Sequence, residues 1–137
     1  MPALNGVLET SLYVDDLDRS SRFYEDVFGL TQMSGDDRLR AYNVGERSVL
    51  LLFKRGASNF FTQMPFGTLG PHDGQGPLHF AFAIAAKELI GWEEHLRRHE
   101  ISIETRIHWP RGGTSLYFRD PDNNLVELAT PGIWPMY

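Results

Sequence analysis

The chain repeats itself once, and that repeat limits its possible folds more than any other feature. Without a gap, Leu8-Glu9-Thr10-Ser11-Leu12-Tyr13-Val14 aligns with Leu78-His79-Phe80-Ala81-Phe82-Ala83-Ile84. Phe23 and Val27 then fall on Trp92 and Leu96, and Val49-Leu50-Leu51-Leu52 falls on Leu125-Val126-Glu127-Leu128. Two copies of one pattern in 137 residues imply one domain made of two small modules sharing a plan.

Each copy reads as strand, helix, then strands. Over residues 7–14 the side chains alternate, with Val7, Glu9, Ser11 and Tyr13 on one side and Leu8, Thr10, Leu12 and Val14 on the other. The carboxylates of Asp15, Asp16 and Asp18 suit a helix start, and Ser20, Phe23, Tyr24, Val27 and Phe28 follow a helical stripe that Gly29 ends. Strands are expected at 39–44 and 48–53, with a weaker one near 30–34. The second copy places a strand at 78–84, a helix at 87–98 with Leu89, Trp92 and Leu96 inward, and strands at 101–107, 114–119 and 125–129. Asp120-Pro121-Asp122-Asn123-Asn124 is the turn between the last two. The predicted fold is α+β, with modules at 7–53 and 78–129. Residues 54–77 form a linker or lid, broken by five glycines and three prolines but carrying Phe60, Phe61, Met64 and Phe66. Residues 130–137 form an apolar tail.

Composition narrows the function. There is no cysteine, so disulfide scaffolds, thiol nucleophiles and Cys-rich zinc sites are excluded. A net charge of −5 without a basic block weighs against a nucleic-acid partner. No apolar run approaches the ~18 residues of a membrane span and the first ten residues lack a signal-like apolar stretch, so no membrane association and a cytoplasmic location are expected.

The strand faces opposite the helices carry the chemistry. They present Glu9, Ser11 and Tyr13, then His79, Ala81 and Ala83, then Glu127. Small and polar groups there fit a mixed sheet cupped around a cavity. Ionisable groups in mid-strand are costly to bury unless paired or metal-bound. Two carboxylates and an imidazole carry a charge that one divalent cation neutralises, and O/N ligation suits Mn, Fe, Co, Ni or Zn.

The segments LETSLYVDDLDRSSRFYEDVFGL, LHFAFAI and SLYFRDPDNNLVELAT resemble the glyoxalase/bleomycin resistance/extradiol dioxygenase group, the vicinal oxygen chelate superfamily, over residues 7–129. That resemblance implies paired β-α-β-β-β modules forming a cupped sheet, often in a homodimer and sometimes with modules exchanged between chains. In metal-dependent members the first and last strands of each module supply the ligands, which here are Glu9, His79 and Glu127, with Leu51 at the fourth position. Relatives commonly carry His or Gln where Glu9 stands. Three ligands resemble the extradiol dioxygenases and fosfomycin-resistance thiol transferases more than a four-ligand glyoxalase I.

Each residue also has a plainer reading. His79 suits a hydrogen-bonded core position, Glu127 a buried ion pair with Arg119 or Arg40, and Glu9 an edge-strand surface. His95 and His99, four apart on the second helix, suit solvated surface. His72 and Asp73 reach over the cavity as an acid or base, or belong to a mobile loop. Ser11, Tyr13, Ala81 and His72 are the candidate substrate contacts, and Lys54, Arg55 and Arg111 the candidate anchors for an anion. The leading expectation is a metal-dependent lyase, isomerase or dioxygenase acting on a small oxygenated molecule, with Glu127 or Glu9 as the proton-transferring carboxylate. The alternative is a metal-free protein that sequesters a small molecule. The apolar tail, with Ile133, Trp134, Met136 and Tyr137, favours a homodimer under either.

Overall fold

The computed structural model describes residues 1–137, in which the chain forms two compact units, Met1–Gly76 and Pro77–Tyr137. In the first, β1 (Glu9–Val14) leads into α1 (Leu17–Phe28), then β2 (Thr31–Gly35), β3 (Leu39–Val44) and β4 (Ser48–Lys54). These strands form one mixed sheet in the order β1-β4-β3-β2, with β1 and β4 parallel and the other pairs antiparallel. Two short strands, β5 (Thr62–Met64) and β6 (Gly67–Leu69), make a separate hairpin.

The second unit repeats the plan. β7 (His79–Ala83) is followed by a 3-10 turn (Ala86–Glu88), α2 (Leu89–Arg98), β8 (Thr105–His108), β9 (Thr114–Arg119) and β10 (Leu125–Ala129). The sheet order β7-β10-β9-β8 matches that of the first unit, again with the parallel pair formed by first and last strands. Register confirms the internal alignment. Glu9 stands opposite Val49 and Ser11 opposite Leu51, while His79 stands opposite Leu125 and Ala81 opposite Glu127.

Local chemistry explains α1. The Asp16 carboxylate accepts from the Arg19 N–H at 3.0 Å, and Gly29 closes the helix with φ 62, a left-handed conformation costly to residues with a Cβ. Leu17, Ser20, Ser21, Tyr24 and Val27 are the buried stripe. In the first unit Leu12, Val14, Tyr42, Leu50 and Leu52 are buried as well; in the second Leu96, Leu116, Phe118, Val126 and Leu128 are fully buried.

Tyr42 is buried and donates to Glu25 Oε1 at 2.8 Å. Burial above all, with Glu25 adding and the Ser21 hydroxyl opposing, pushes its phenol up to about 12. Because the folded value lies above the ordinary 10, the stability contributed is complete below pH 10 and is lost as pH rises through 12. Alkaline titration by ultraviolet absorbance is expected to show a late-ionising tyrosine that Tyr42→Phe removes.

Several boundaries differ from the sequence reading. α1 does start within the acidic cluster expected to cap it, at Leu17, with Asp16 as the capping residue. The aromatic rings Phe23 and Phe28 are only half-buried, and Tyr24 takes the deep position. β1 starts at Glu9, and Val7 and Leu8 are exposed. In α2 only Leu96 of the expected stripe is buried, with Leu89 and Trp92 half-exposed. The strand expected at 101–107 pairs only from Thr105 to His108, since Ile101 instead donates to Leu96 O and extends the helix end. The 54–77 segment is not wholly irregular, for it contains the β5–β6 hairpin.

The Asp120-to-Asn124 turn does more than reverse the chain. Asp120 accepts from the N–H groups of Asp122 and Asn124 and from the Asn124 amide, whose oxygen accepts from the Leu78 N–H at 3.0 Å. This buried network sets β7 beside β10 and so places His79. Asn124→Ala leaves the Leu78 N–H without that acceptor and is expected to cost about 1–3 kcal/mol in urea unfolding.

Candidate functional site

On the face of the second sheet that carries Glu127, β7 contributes His79, Ala81 and Ala83, β10 contributes Leu125, Glu127 and Ala129, and β9 contributes Ser115 and Tyr117. Strand alternation puts them together: Glu127 lies between Ala81 on one side and Tyr117 on the other. The Glu127 side chain is 9% exposed, and His79 Nε2 stands 3.3 Å from its Oε2. His79 itself is 50% exposed, so the pair is reachable from solvent. The small, exposed Ala81 leaves open surface beside the carboxylate.

The tautomer of His79 follows from its other nitrogen. Nδ1 is 2.9 Å from the Leu125 carbonyl oxygen, which can only accept, so Nδ1 carries a proton. In the neutral ring Nε2 then presents a lone pair to a carboxylate, two acceptors at 3.3 Å. A cation between them, or a proton shared by them, makes that contact favourable.

Around this pair, the Tyr117 ring lies 6.0 Å from that of His79. Its phenol is raised above the ordinary value by burial first, then by a hydrogen bond to Glu127 and by that group's charge, against a lowering bond from Ser115. Trp109 donates its indole N–H to Ser115 Oγ at 2.8 Å. Tyr117, Ser115 and Trp109 were not singled out from the sequence. Alternation along β9, with Leu116 and Phe118 inward, was the signal that places Ser115 and Tyr117 on the face of Glu127.

The arginine reading of Glu127 is overturned. Arg119 is held by Glu104 through two bonds at 2.7 and 2.9 Å, and Arg40 pairs with Asp18 and donates to main-chain oxygens of Asp36 and Leu39. Both guanidinium groups are thus engaged by partners other than Glu127.

In the first unit, β1 carries exposed Glu9, half-buried Ser11 and Tyr13 along one face. Glu9 has no ion pair or hydrogen bond from its side chain. Within neither unit are three or more His, Asp or Glu side chains gathered to hold a metal ion, so His79 and Glu127 are a pair. Tyr13 stacks on Phe53 with centroids 5.8 Å apart, and its hydroxyl is 2.9 Å from Nδ1 of His72. The 70–76 segment is therefore pinned, not loose: His72 also donates its main-chain N–H to Ser58 O, and Gly56 donates to Asp73. Arg55 is not free for an anion, since it donates to Tyr13 O and pairs with Asp15 at 3.5 Å. His95 and His99 lie with centroids 4.5 Å apart near the end of α2, away from any third ligand.

Comparison with known proteins now adds to this geometry. The pattern of the Glyoxalase/Bleomycin resistance protein/Dioxygenase superfamily matches residues 6–128. Fosfomycin resistance protein FosX of Listeria innocua serovar 6a is 27% identical over 128 residues, covering 91% of this chain and 89% of that protein. Among solved structures, lactoylglutathione lyase from Agrobacterium tumefaciens is 33% identical with a TM-score of 0.88, covering 98% of this chain and 99% of that one. FosX from Listeria monocytogenes, at 19% identity and a TM-score of 0.69 over 93% of this chain, shares the fold.

Proposed function

The chain belongs to the glyoxalase/bleomycin resistance protein/dioxygenase superfamily, and from that membership we propose a metal-dependent enzyme acting on a small molecule with adjacent oxygens. The observation that carries this reading is the His79–Glu127 pair, an outward lone-pair nitrogen beside a buried carboxylate with no arginine to neutralise it. That donor set fits a divalent ion such as Mn, Fe, Co, Ni or Zn. His79 would hold it through Nε2 and Glu127 through a carboxylate oxygen, and Glu9, aligned with His79 in the sequence repeat, is the sequence's candidate for a further ligand. A bound ion supplies Lewis acidity, which lowers the cost of negative charge on adjacent substrate oxygens. Tyr117 orients the Glu127 carboxylate through its hydroxyl, and Leu125 holds the ring of His79 through its carbonyl. Glu127 or Glu9 accepts the proton released from the substrate carbon, while Ser11, Ala81 and His72 contact the substrate and Tyr13, a substrate contact by the sequence reading, acts through its hydroxyl on His72.

The lactoylglutathione lyase likeness supports lyase-type or isomerase-type proton transfer as the reaction class. Elemental analysis after chelation and reloading tests the centre: one ion per chain is the expected result, and none in the wild type overturns it. A second reading, metal-free sequestration of an apolar ligand, draws on the exposed Phe60, Phe61 and Phe66 around the β5–β6 hairpin. It requires ligand affinity that a chelator leaves unchanged.

A homodimer in the cytoplasm completes the proposal. Tyr137 docks its hydroxyl on the main-chain oxygens of Ile84 and Ala129, but Trp134 and Met136 stay exposed, as does Phe66. Apolar surface of that kind favours a partner. Sedimentation at micromolar concentration is expected to give twice the chain mass, and a monomer would refute the dimer. No helix is long and apolar enough to cross a membrane.

A further inference from the structure

His72 is held as a working imidazole is held. Its ring packs edge-on against Phe53 at 4.6 Å, and its main-chain N–H is tied to Ser58 O at 2.9 Å. Nδ1 is engaged by the Tyr13 hydroxyl at 2.9 Å, whereas Nε2 has no hydrogen-bond partner in the chain. The residue is only half-buried, so solutes reach it. Gly74 lies so close over Tyr13 that a Cβ there would meet the ring at 2.4 Å, which keeps the 70–76 strap flat on the phenol. Within the chain Tyr13 has no other acceptor for its proton. Its phenol is also raised above the ordinary value, by burial first and then by the Asp73 charge, so it stays protonated as a donor. Donation into Nδ1 puts the ring proton of neutral His72 on Nε2.

We propose that His72 contacts the substrate directly, donating its Nε2–H to a carbonyl or carboxylate oxygen, and that Tyr13 is the positioning residue that fixes the tautomer and the ring. This rests on the reading that the β1 face belongs to the substrate surface. The ligand class is a small molecule with an oxygen acceptor beside an oxygen-bearing carbon. His72 supplies a neutral donor where charge grows on that oxygen, a preorganised contact of the kind that favours a developing oxyanion.

Two-dimensional nitrogen–proton spectra of the histidine rings test this, with oxalate as the probe because it is the smallest molecule with adjacent carboxylate oxygens. His72 is expected as the Nε2–H tautomer with its Nδ1 signal moved by an accepted hydrogen bond, and Tyr13→Phe is expected to lose that Nδ1 displacement while remaining folded. Oxalate is expected to move the His72 Nε2 signal, with or without added zinc. His72→Gln is expected to weaken oxalate binding about tenfold, and Tyr13→Phe by a smaller factor. An Nδ1–H tautomer in the wild type, an unchanged Nδ1 signal in Tyr13→Phe, or an Nε2 signal that oxalate leaves still in both conditions overturns the proposal. Metal content is measured on the same samples. Loss of metal uptake with a responsive His72 removes only the metal reading, and full metal uptake with a silent His72 removes only this one.

Discussion

Glu127→Gln is expected to weaken uptake of a divalent ion by at least about a hundredfold while the protein stays folded. The substitution keeps the shape of a side chain that is 9% exposed and removes the charge that a cation needs. No arginine depends on that charge, so no guanidinium is left unpaired by the change. A buried carboxylate that serves the fold behaves differently, because removing one member of a buried ion pair costs several kcal/mol. Glu127→Leu sharpens the contrast: it is expected to be neutral or stabilising in the metal-free protein, since a desolvated charge is replaced by apolar contact. Elemental analysis with urea unfolding of the wild type and both variants reads the two effects separately. Unfolding of both variants, or undiminished metal content in Glu127→Gln, would make the carboxylate structural.

Phe118→Ala is expected to cost about 3–5 kcal/mol, a large share of the roughly 5–15 kcal/mol that holds a domain of this kind together. Phe118 is fully buried and stands opposite Val126 in the antiparallel β9–β10 pair, on the face away from Glu127. Its removal leaves a cavity beside Leu116 and Leu128, which are also fully buried. Urea denaturation followed by tryptophan fluorescence measures the loss. A cost below about 1 kcal/mol would show that this side of the sheet is loosely packed.

The fold was legible where one physical signal acted alone. Two strand-like runs at 39–44 and 48–53, joined by a tight turn at Gly45-Glu46, give β3 and β4 with ends within one residue, and Asp16 and Gly29 mark α1 because capping chemistry is local. The pairing of His79 with Glu127 was legible too, since parallel register between β7 and β10 follows from the repeat. What stayed hidden depends on distance along the chain. Tyr13 and His72 are 59 positions apart and join through an irregular strap with no periodicity to announce it. The β5–β6 hairpin has strands of three residues, too short for alternation to stand out. Glu104, just ahead of β8, takes Arg119 of the neighbouring β9, a choice that no pattern in the sequence reveals.

The bond between His79 Nδ1 and the Leu125 carbonyl has a further consequence for how this protein can change over generations. Its acceptor is a peptide group, present whatever side chain occupies position 125. Substitution there can reshape the neighbourhood of the imidazole without altering which nitrogen faces Glu127. The ring's orientation is thereby insulated from drift at the adjoining position, and new pocket shapes can be explored around a reactive atom that keeps its aim.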